Sequence, residues 1–267
     1  MLRVGSMVRL ALLRSENAYR LARRGYLVAR YLARRPHERD FAAFAALRAR
    51  DGAFLDVGAN AGQSALSFRL FNKRAPILSI EANPYHDRDL RFVKRFVRGF
   101  DYRIVAAGEA DGSLTLHVPT YRGIPITGEA SVHRATAARS WWMEEHLDEA
   151  DHDRFEIAER EVPVRRLDDL APRAAFIKID VEGYELPVLR GLAGTFARDR
   201  PVLMVERNGR TGEVVAHMRA LGYRPFAFDA RVEAFEPYAA QAARNLFFFP
   251  AEPAGVAPPA AEAHSGA

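Results

Sequence analysis

Two short stretches hold residues whose types and spacing could do chemistry. The first is Phe54-Leu55-Asp56-Val57-Gly58-Ala59-Asn60-Ala61-Gly62-Gln63-Ser64, and the second is Phe176-Ile177-Lys178-Ile179-Asp180-Val181-Glu182-Gly183-Tyr184-Glu185. In the first, a mostly apolar run reaches Val57, turns on two glycines and passes into helical spacing from Ser64 (Ala65, Leu66, Phe68, Leu70). A strand that turns on glycines into a helix is how open α/β sheets hold a nucleotide-like ligand at the carboxyl end of the strand. A dinucleotide would call for G-x-G-x-x-G, and Asn60 stands where the second glycine belongs. Asp56 is badly placed beside phosphates and suits a ligand that carries an amine. In the second stretch a buried strand ends in Asp180, with Glu182 two residues on. Either carboxylate could take a proton from a hydroxyl. The rival roles are a cofactor contact for Asp180 and a helix cap for Glu182. Two acids could also hold a divalent cation, but no metal site is expected.

Between these stretches, Ile77-Leu78-Ser79-Ile80-Glu81 reads as a second strand ending in an acid, 19 residues after Gly62. From there a carboxylate can accept hydrogen bonds from both ribose hydroxyls. Asn83-Pro84 is a turn leading into a basic helix over residues 86–98. Tyr102 to Ala106 reads as a third strand ending at Ala107-Gly108, where small residues leave room for a flat ring such as adenine. Asp56, Glu81, Ala107, Asp180 and Glu206 all fall at expected strand ends, and in a parallel sheet those ends line one crevice. Tyr184, Glu206 and His133 are weaker candidates on the side of a second substrate. Lys178 faces away from Ile177 and Ile179 and could pair with an acid.

The elements that must position these residues follow from periodicity. Strand and helix alternate through the first three strands. After Asp180, Pro187 sits in the first turn of a helix carrying Leu189, Leu192 and Phe196. A strand over 201–206 and a helix over 211–221 follow, and Tyr223–Phe228 and Asn245–Phe249 close the domain as two strands. The expected fold is α/β, a mostly parallel sheet with an antiparallel last strand. Asp111-Gly112 signals a hairpin joining Val105 to the alternating Leu114–Val118. Val162–Val164 reads as a short strand and 167–170 as a turn. Residues 119–160, with His133, Trp141, Trp142, His146 and His152, carry no clear pattern and are expected to form an insertion or lid. The three histidines are 13 and 6 residues apart, which matches no ligand spacing.

A chain of 267 residues, 49% apolar, suits one large α/β domain with additions. It has no cysteine, which excludes disulfides, thiolate zinc sites and a cysteine nucleophile and fits a reducing compartment. No apolar run approaches the roughly 20 residues of a membrane span. Arginines interrupt each apolar stretch near the N-terminus, unlike a secretion signal, so the expected location is cytoplasmic. The net charge of +5 is uneven: residues 1–39 hold ten Arg and two Glu, or +8, which leaves −3 for the remainder by subtraction. The basic character belongs to an arm rather than to the core, so nucleic acid is not an expected partner. Residues 7–35 have helical spacing, with Leu10, Leu13, Tyr19, Leu21, Leu27, Tyr31 and Leu32 among the arginines. Such an arm either packs on the domain with a solvated basic face or makes a peripheral contact with an anionic membrane or an acidic partner.

Taken in order, the two chemistry-bearing stretches resemble the FkbM family of S-adenosylmethionine-dependent methyltransferases. Supporting pieces are Glu81-Ala82-Asn83-Pro84, Val164-Arg165-Arg166-Leu167-Asp168-Asp169-Leu170 and Asn245-Leu246-Phe247-Phe248-Phe249-Pro250. The likeness spans about residues 50 to 250; family members often have Phe-Glu-Pro-Asn-Pro where this chain has Ile80-Glu81-Ala82-Asn83-Pro84. The resemblance implies a Rossmann-like class I methyltransferase sheet with helices on both faces and S-adenosylmethionine as cofactor. It also implies O-methylation of a hydroxyl on a sugar, glycolipid or natural product. It places Asp56, Gly58, Asn60 and Gly62 at the methionine end, Glu81 at the ribose with Ala82 and Asn83 beside the ring, and Ala106 and Ala107 at the adenine. Asp180 and Glu182 are then the candidate catalytic acids. The expected layout is an arm over 1–40, a methyltransferase domain over 41–250 and a disordered Pro/Ala-rich tail over 251–267. Two alternatives are a nicotinamide-dependent oxidoreductase, which Asn60 disfavours, and a non-catalytic cofactor-binding module attached through the arm.

Overall fold

The computed structural model describes residues 15–47, 50–138, 153–239 and 243–251. The expectations for Leu10 and Leu13, for Trp141, Trp142, His146 and His152, and for the tail beyond residue 251 lie outside them.

The first strand, β1 (Ala53–Val57), is buried at every position, as a strand covered on both faces must be. Parallel to it on one side run β2 (Ile77–Glu81) and β3 (Phe100–Ile104). On the other side lie β8 (Ala174–Ile179) and β9 (Val202–Glu206), also parallel. The sheet then continues antiparallel through β12 (Asn245–Pro250), β10 (Tyr223–Asp229) and β11 (Ala234–Pro237). The full order is β11-β10-β12-β9-β8-β1-β2-β3. The chain leaves β1 toward β2 and later returns to β1's other flank as β8, which opens a crevice at the switch point between them.

Side-chain alternation splits the core between the two faces of the sheet. Phe54, Phe176, Met204 and Phe247 point to one face, where the helices Gln63–Phe71 and Asp87–Phe96 bring Phe68, Leu90 and Val93. Phe54 and Phe68 stack there with ring centroids 4.1 Å apart. Leu55, Ile177, Leu203 and Phe248 point to the other face, where the helices Glu185–Arg190, Ala193–Asp199 and Thr211–Ala220 bring Leu189, Phe196 and Met218.

Four expectations are corrected. The helix beginning near Pro187 is not continuous: it ends at Arg190 and a second one starts at Ala193. The break lets Gly191 approach the Gly108 carbonyl so closely that a Cβ would stand 2.0 Å from its oxygen. Asp168 caps the second helix: its carboxylate accepts from the Gly194 and Thr195 backbone N–H groups, both at 2.7 Å, and from Thr195 Oγ1 at 2.8 Å. Asp168→Ala is expected to cost about 1–2 kcal/mol, read from the midpoint of urea unfolding.

The second correction concerns the Asp111-Gly112 hairpin. Ala106 and Ala107 lie not at the end of the third main-sheet strand but in β4 (Ala106–Gly108), within a separate four-stranded sheet of order β4-β7-β5-β6. There β7 (Phe155–Arg166) lies between β4 and β5 (Gly112–Tyr121), and Val164 pairs with both Ala106 and Gly112. The turn is present, but its two strands flank a third and do not pair. Third, β7 is twelve residues long where only Val162–Val164 was legible. Its first half, Phe155 to Glu161, is exposed or half-exposed, so no apolar alternation marks it. The described part of 119–160 is therefore mixed: sheet at both ends and in β6 (Ile124–Pro125), a bridge between His117 and Ser131, and a short helix over Arg134–Ala138. Fourth, the chain between the two closing strands forms β11, which adds an edge strand beside β10.

The helix Glu16–Leu32 begins with Ser15 Oγ accepting from the Ala18 N–H. It packs on the first face through Leu27 and Tyr31. Its arginines turn inward: Arg23 and Arg24 both pair with the buried Asp89 of the helix Asp87–Phe96. No described helix is long and apolar enough to cross a membrane.

Candidate active site

The turn after β1 is shaped by close backbone approaches. Gly58 has φ +85°, and a Cβ there would stand 1.7 Å from the Asp180 carbonyl oxygen. This glycine therefore lets the ends of β1 and β8 meet. Gly62, at φ +88°, precedes the helix Gln63–Phe71, and a Cβ would fall 2.8 Å from the Val93 side chain. It is a helix-packing glycine and does not reach the crevice. Asn60 between them is left-handed at φ +49°, a conformation that Asn tolerates better than most residues.

Above this turn lies a cavity of about 220 Å³. Its walls include Gly58, Asn60, Glu81, Ala82, Ala106, Ala107, Asp180 and Glu182, eight of the eleven residues singled out from sequence. Asp56, Gly62 and Asn83 are not among its lining residues. Asp56 is fully buried inside β1, where its Oδ2 accepts from Ser79 Oγ at 2.8 Å. Strand register explains this: Asp56 lies opposite Ser79 on β2 and opposite Lys178 on β8. Burial raises its pKa. Asn83 turns away to cap the next short helix, its Oδ1 accepting from the Tyr85 N–H at 3.1 Å.

Glu81 ends β2 at the cavity wall. Its two carboxylate oxygens accept from the backbone N–H groups of Asn60 (2.6 Å) and Asn83 (2.7 Å). Those two bonds fix the plane of the carboxylate and leave each oxygen a further lone pair. Burial outweighs both bonds and pushes its pKa up to about 7. The second sheet roofs the cavity with Ala106, Ala107, Leu114, Leu116, Ala130 and Val132, an apolar wall facing the acids.

Across the floor, Asp180, Glu182 and Glu206 bring one carboxylate oxygen each within 4.8 Å of one another. The buried Lys178 donates to Asp180 Oδ2 at 2.8 Å. Burial works to raise the Asp180 pKa, and the Lys178 ammonium overcomes it and holds Asp180 ionised. Glu206 goes the other way: burial first, then its bond to Asp180, keep its proton on. The two acids thus share one proton at neutral pH. Glu182 is left-handed at φ +49°, a strained conformation for a residue of this kind. It is exposed and stands at the cavity wall. Burial, then the charges of Asp180, Glu185 and Glu129, push its pKa up to about 7.

Among the wall residues not legible from sequence, three form a charged cluster. His37 and Glu38 arrive from the chain just beyond the N-terminal helix, and Arg244 precedes β12. Asn245 ties them in, its Nδ2 donating to Glu38 Oε2 and Asp40 Oδ2, both at 2.9 Å. Arg244 bridges Glu38 (3.2 Å) and Glu206 (3.3 Å). Burial alone would raise the Glu38 pKa, but the His37 bond and the nearby cations Lys178 and Arg244 bring it down to about 2. No local pattern marks this cluster, because its members are some two hundred residues apart in the chain. Of the weaker candidates, Tyr184 and Glu206 reach the wall, while His133 lies beside Gly183 behind it.

The sheet order, the crevice between β1 and β8 and the acid ending β2 define a Rossmann-like methyltransferase fold. The family model described as the methyltransferase FkbM domain matches residues 56–225, and the chain belongs to that family. Among solved structures, a methyltransferase FkbM from Methylobacillus flagellatus KT is similar at 18% identity, over 76% of this chain and 45% of that one, with a TM-score of 0.48. This chain thus spans less than half the length of that protein. A precorrin-6y C5,15-methyltransferase from Geobacter metallireducens GS-15 aligns at 13% identity over 79% and 83% of the two chains, TM-score 0.41. The C-terminal domain of the corresponding protein of Rhodobacter capsulatus aligns at 11% identity over 79% and 85%, TM-score 0.37. No curated protein sequence matches the chain.

Proposed function

We propose that the chain is an S-adenosylmethionine-dependent methyltransferase that methylates a hydroxyl of a sugar, glycolipid or natural product. The observation that carries this reading is the pairing, in one cavity, of a ribose-facing acid at the end of β2 with the acid cluster after β8. The residues fit the cofactor: Glu81 is held with a further lone pair on each oxygen, small and apolar residues face it from the second sheet, and the carboxyl groups of Asp180 and Glu182 line the floor as partners for a cation. When bound, the cofactor supplies an electrophilic methyl group.

Glu81 would accept from the ribose hydroxyls, Ala82, Ala106 and Ala107 would border the adenine, and Gly58 and Asn60 would face the methionine end. Asp56 and Gly62 act indirectly, by setting the strand pairing and the helix from which these residues project. The acceptor hydroxyl would lie toward Glu182, which then takes its proton. A carboxyl with a pKa near 7 is suited to this work, since near neutrality it is partly ionised and still basic. Asp180, held ionised by Lys178 and sharing a proton with Glu206, is the weaker base and orients the floor. Alignment of acceptor and donor in one cavity is worth about 7–11 kcal/mol in general.

The test is transfer of labelled methyl from S-adenosylmethionine into extracted glycans and lipids. Calorimetry adds a sharper one. Glu81→Gln keeps the shape of the side chain but loses the charge that the ribose hydroxyls would meet, and should weaken cofactor binding by about 10- to 100-fold. Binding of NAD in place of S-adenosylmethionine would overturn the reading.

A further inference from the structure

The helix Glu16–Leu32 is inverted for a solvated surface helix. Between residues 21 and 33 the exposed positions are Leu21, Ala22, Gly25, Tyr26, Ala29, Leu32 and Ala33, none of them charged. Leu21 and Leu32 are 71% and 70% exposed. The arginines of the same stretch are turned aside: Arg23 and Arg24 pair with Asp89, and Arg30 donates to the Pro36 carbonyl and the Tyr26 hydroxyl. An ordinary amphipathic helix would do the reverse. The outward apolar face runs at helical spacing along one side; Arg34 and Arg35 just past its end, and Arg39 in the following turn, are exposed.

We propose that this face docks on an anionic lipid bilayer, with Leu21, Tyr26 and Leu32 entering the headgroup boundary and Arg34, Arg35 and Arg39 meeting the lipid phosphates. Charge complementarity selects this occupant. An apolar strip continued by exposed arginines is the composition of an interfacial helix, and basic residues beside such a strip are drawn to anionic headgroups. A second copy of the chain seated face to face would cover the leucines, but the acid on this helix, Glu16, is already paired with Arg20 and leaves the arginines at the far end without a partner of opposite charge. The chain runs on from this helix to His37 and Glu38 in the cavity wall, so docking would fix the cavity relative to the lipid surface.

The experiment is co-sedimentation of the full chain with vesicles of phosphatidylcholine alone and of phosphatidylcholine mixed with phosphatidylglycerol, at low salt and without cofactor. The expected result is binding to the mixed vesicles only, reduced by about tenfold or more in the double variant Leu21→Glu, Leu32→Glu. Both side chains are exposed, so folding is not at stake, and an unchanged melting curve checks it. Equal vesicle binding by the variant and the natural chain would overturn the proposal. So would a dimer in sedimentation that the double variant dissociates while neither protein binds vesicles, which would give the face to a second copy. Because vesicle binding is read without cofactor or acceptor, its failure is distinct from failure of the methyl-transfer reading.

Discussion

Replacing Glu182 with Gln is expected to lower kcat by about 10²- to 10⁴-fold while leaving cofactor affinity nearly unchanged. The amide keeps the volume and the left-handed backbone but cannot take the proton of an acceptor hydroxyl. The pH profile supplies the second readout. A base must be ionised to work, so the natural chain should gain rate as pH rises through about 7, where burial and the neighbouring carboxylates place Glu182. The variant should lose that rising limb. Stability moves in the opposite direction. The folded pKa of about 7 lies above the ordinary value of 4.5, so the contribution of Glu182 to stability is present below that value and lost as pH climbs through 7. Glu182→Gln should therefore flatten the fall in melting temperature between about pH 4.5 and 7. A purely structural Glu182 would leave the shape of the rate profile intact, and that outcome would remove it as the proton acceptor.

The parts of this site legible in the sequence are those built from continuous segments. The turn at Gly58 is legible because a buried strand, a glycine and helical spacing all lie within ten residues, and Glu81 because an acid directly ends an apolar run. Parallel strands then bring such ends together by topology alone. What the sequence left unread depends on register or on long-range pairing. Asp56 follows the same rule as Glu81, yet it lies one residue before the end of its strand and faces Ser79 and Lys178 inside the sheet. Position along a strand by a single residue decides between wall and core. Glu38 and Arg244 reach the cavity only because Asn245 joins two distant segments. The roof was missed for another reason: β7 exposes most of its side chains, so its hydrogen bonds, not its hydrophobic pattern, make it a strand.

Lys178→Met is expected to destabilise the fold by about 3–5 kcal/mol, because it removes one partner from a buried ionic pair. Lys178 is nearly inaccessible, its ammonium bonds Asp180 at 2.8 Å, and it lies opposite Asp56 in the strand register. Burial works to lower its pKa, and the charges of Asp180, Asp56 and Glu38 more than reverse that, so the ammonium stays charged. The two acids would respond differently to its loss. Asp56 already has a raised pKa and can accept a proton in the dry strand. Asp180 owes its depressed pKa chiefly to the ammonium and would become a carboxylate without its cation, held by the Glu206 bond alone. A depressed folded pKa contributes stability that is present above the ordinary value of 3.8 and lost as pH falls toward 2. The variant should therefore lose most of its stability deficit at acid pH, where Asp180 protonates in both proteins. Adding Asp180→Asn should recover part of the deficit at neutral pH, since the cost lies in the stranded charge more than in the lost contact. Urea unfolding of the two single variants and the double variant at pH 7 closes the cycle. A coupling energy near zero would mean that Lys178 stabilises the sheet by packing alone and does not hold the acid cluster in its ionised, proton-sharing form.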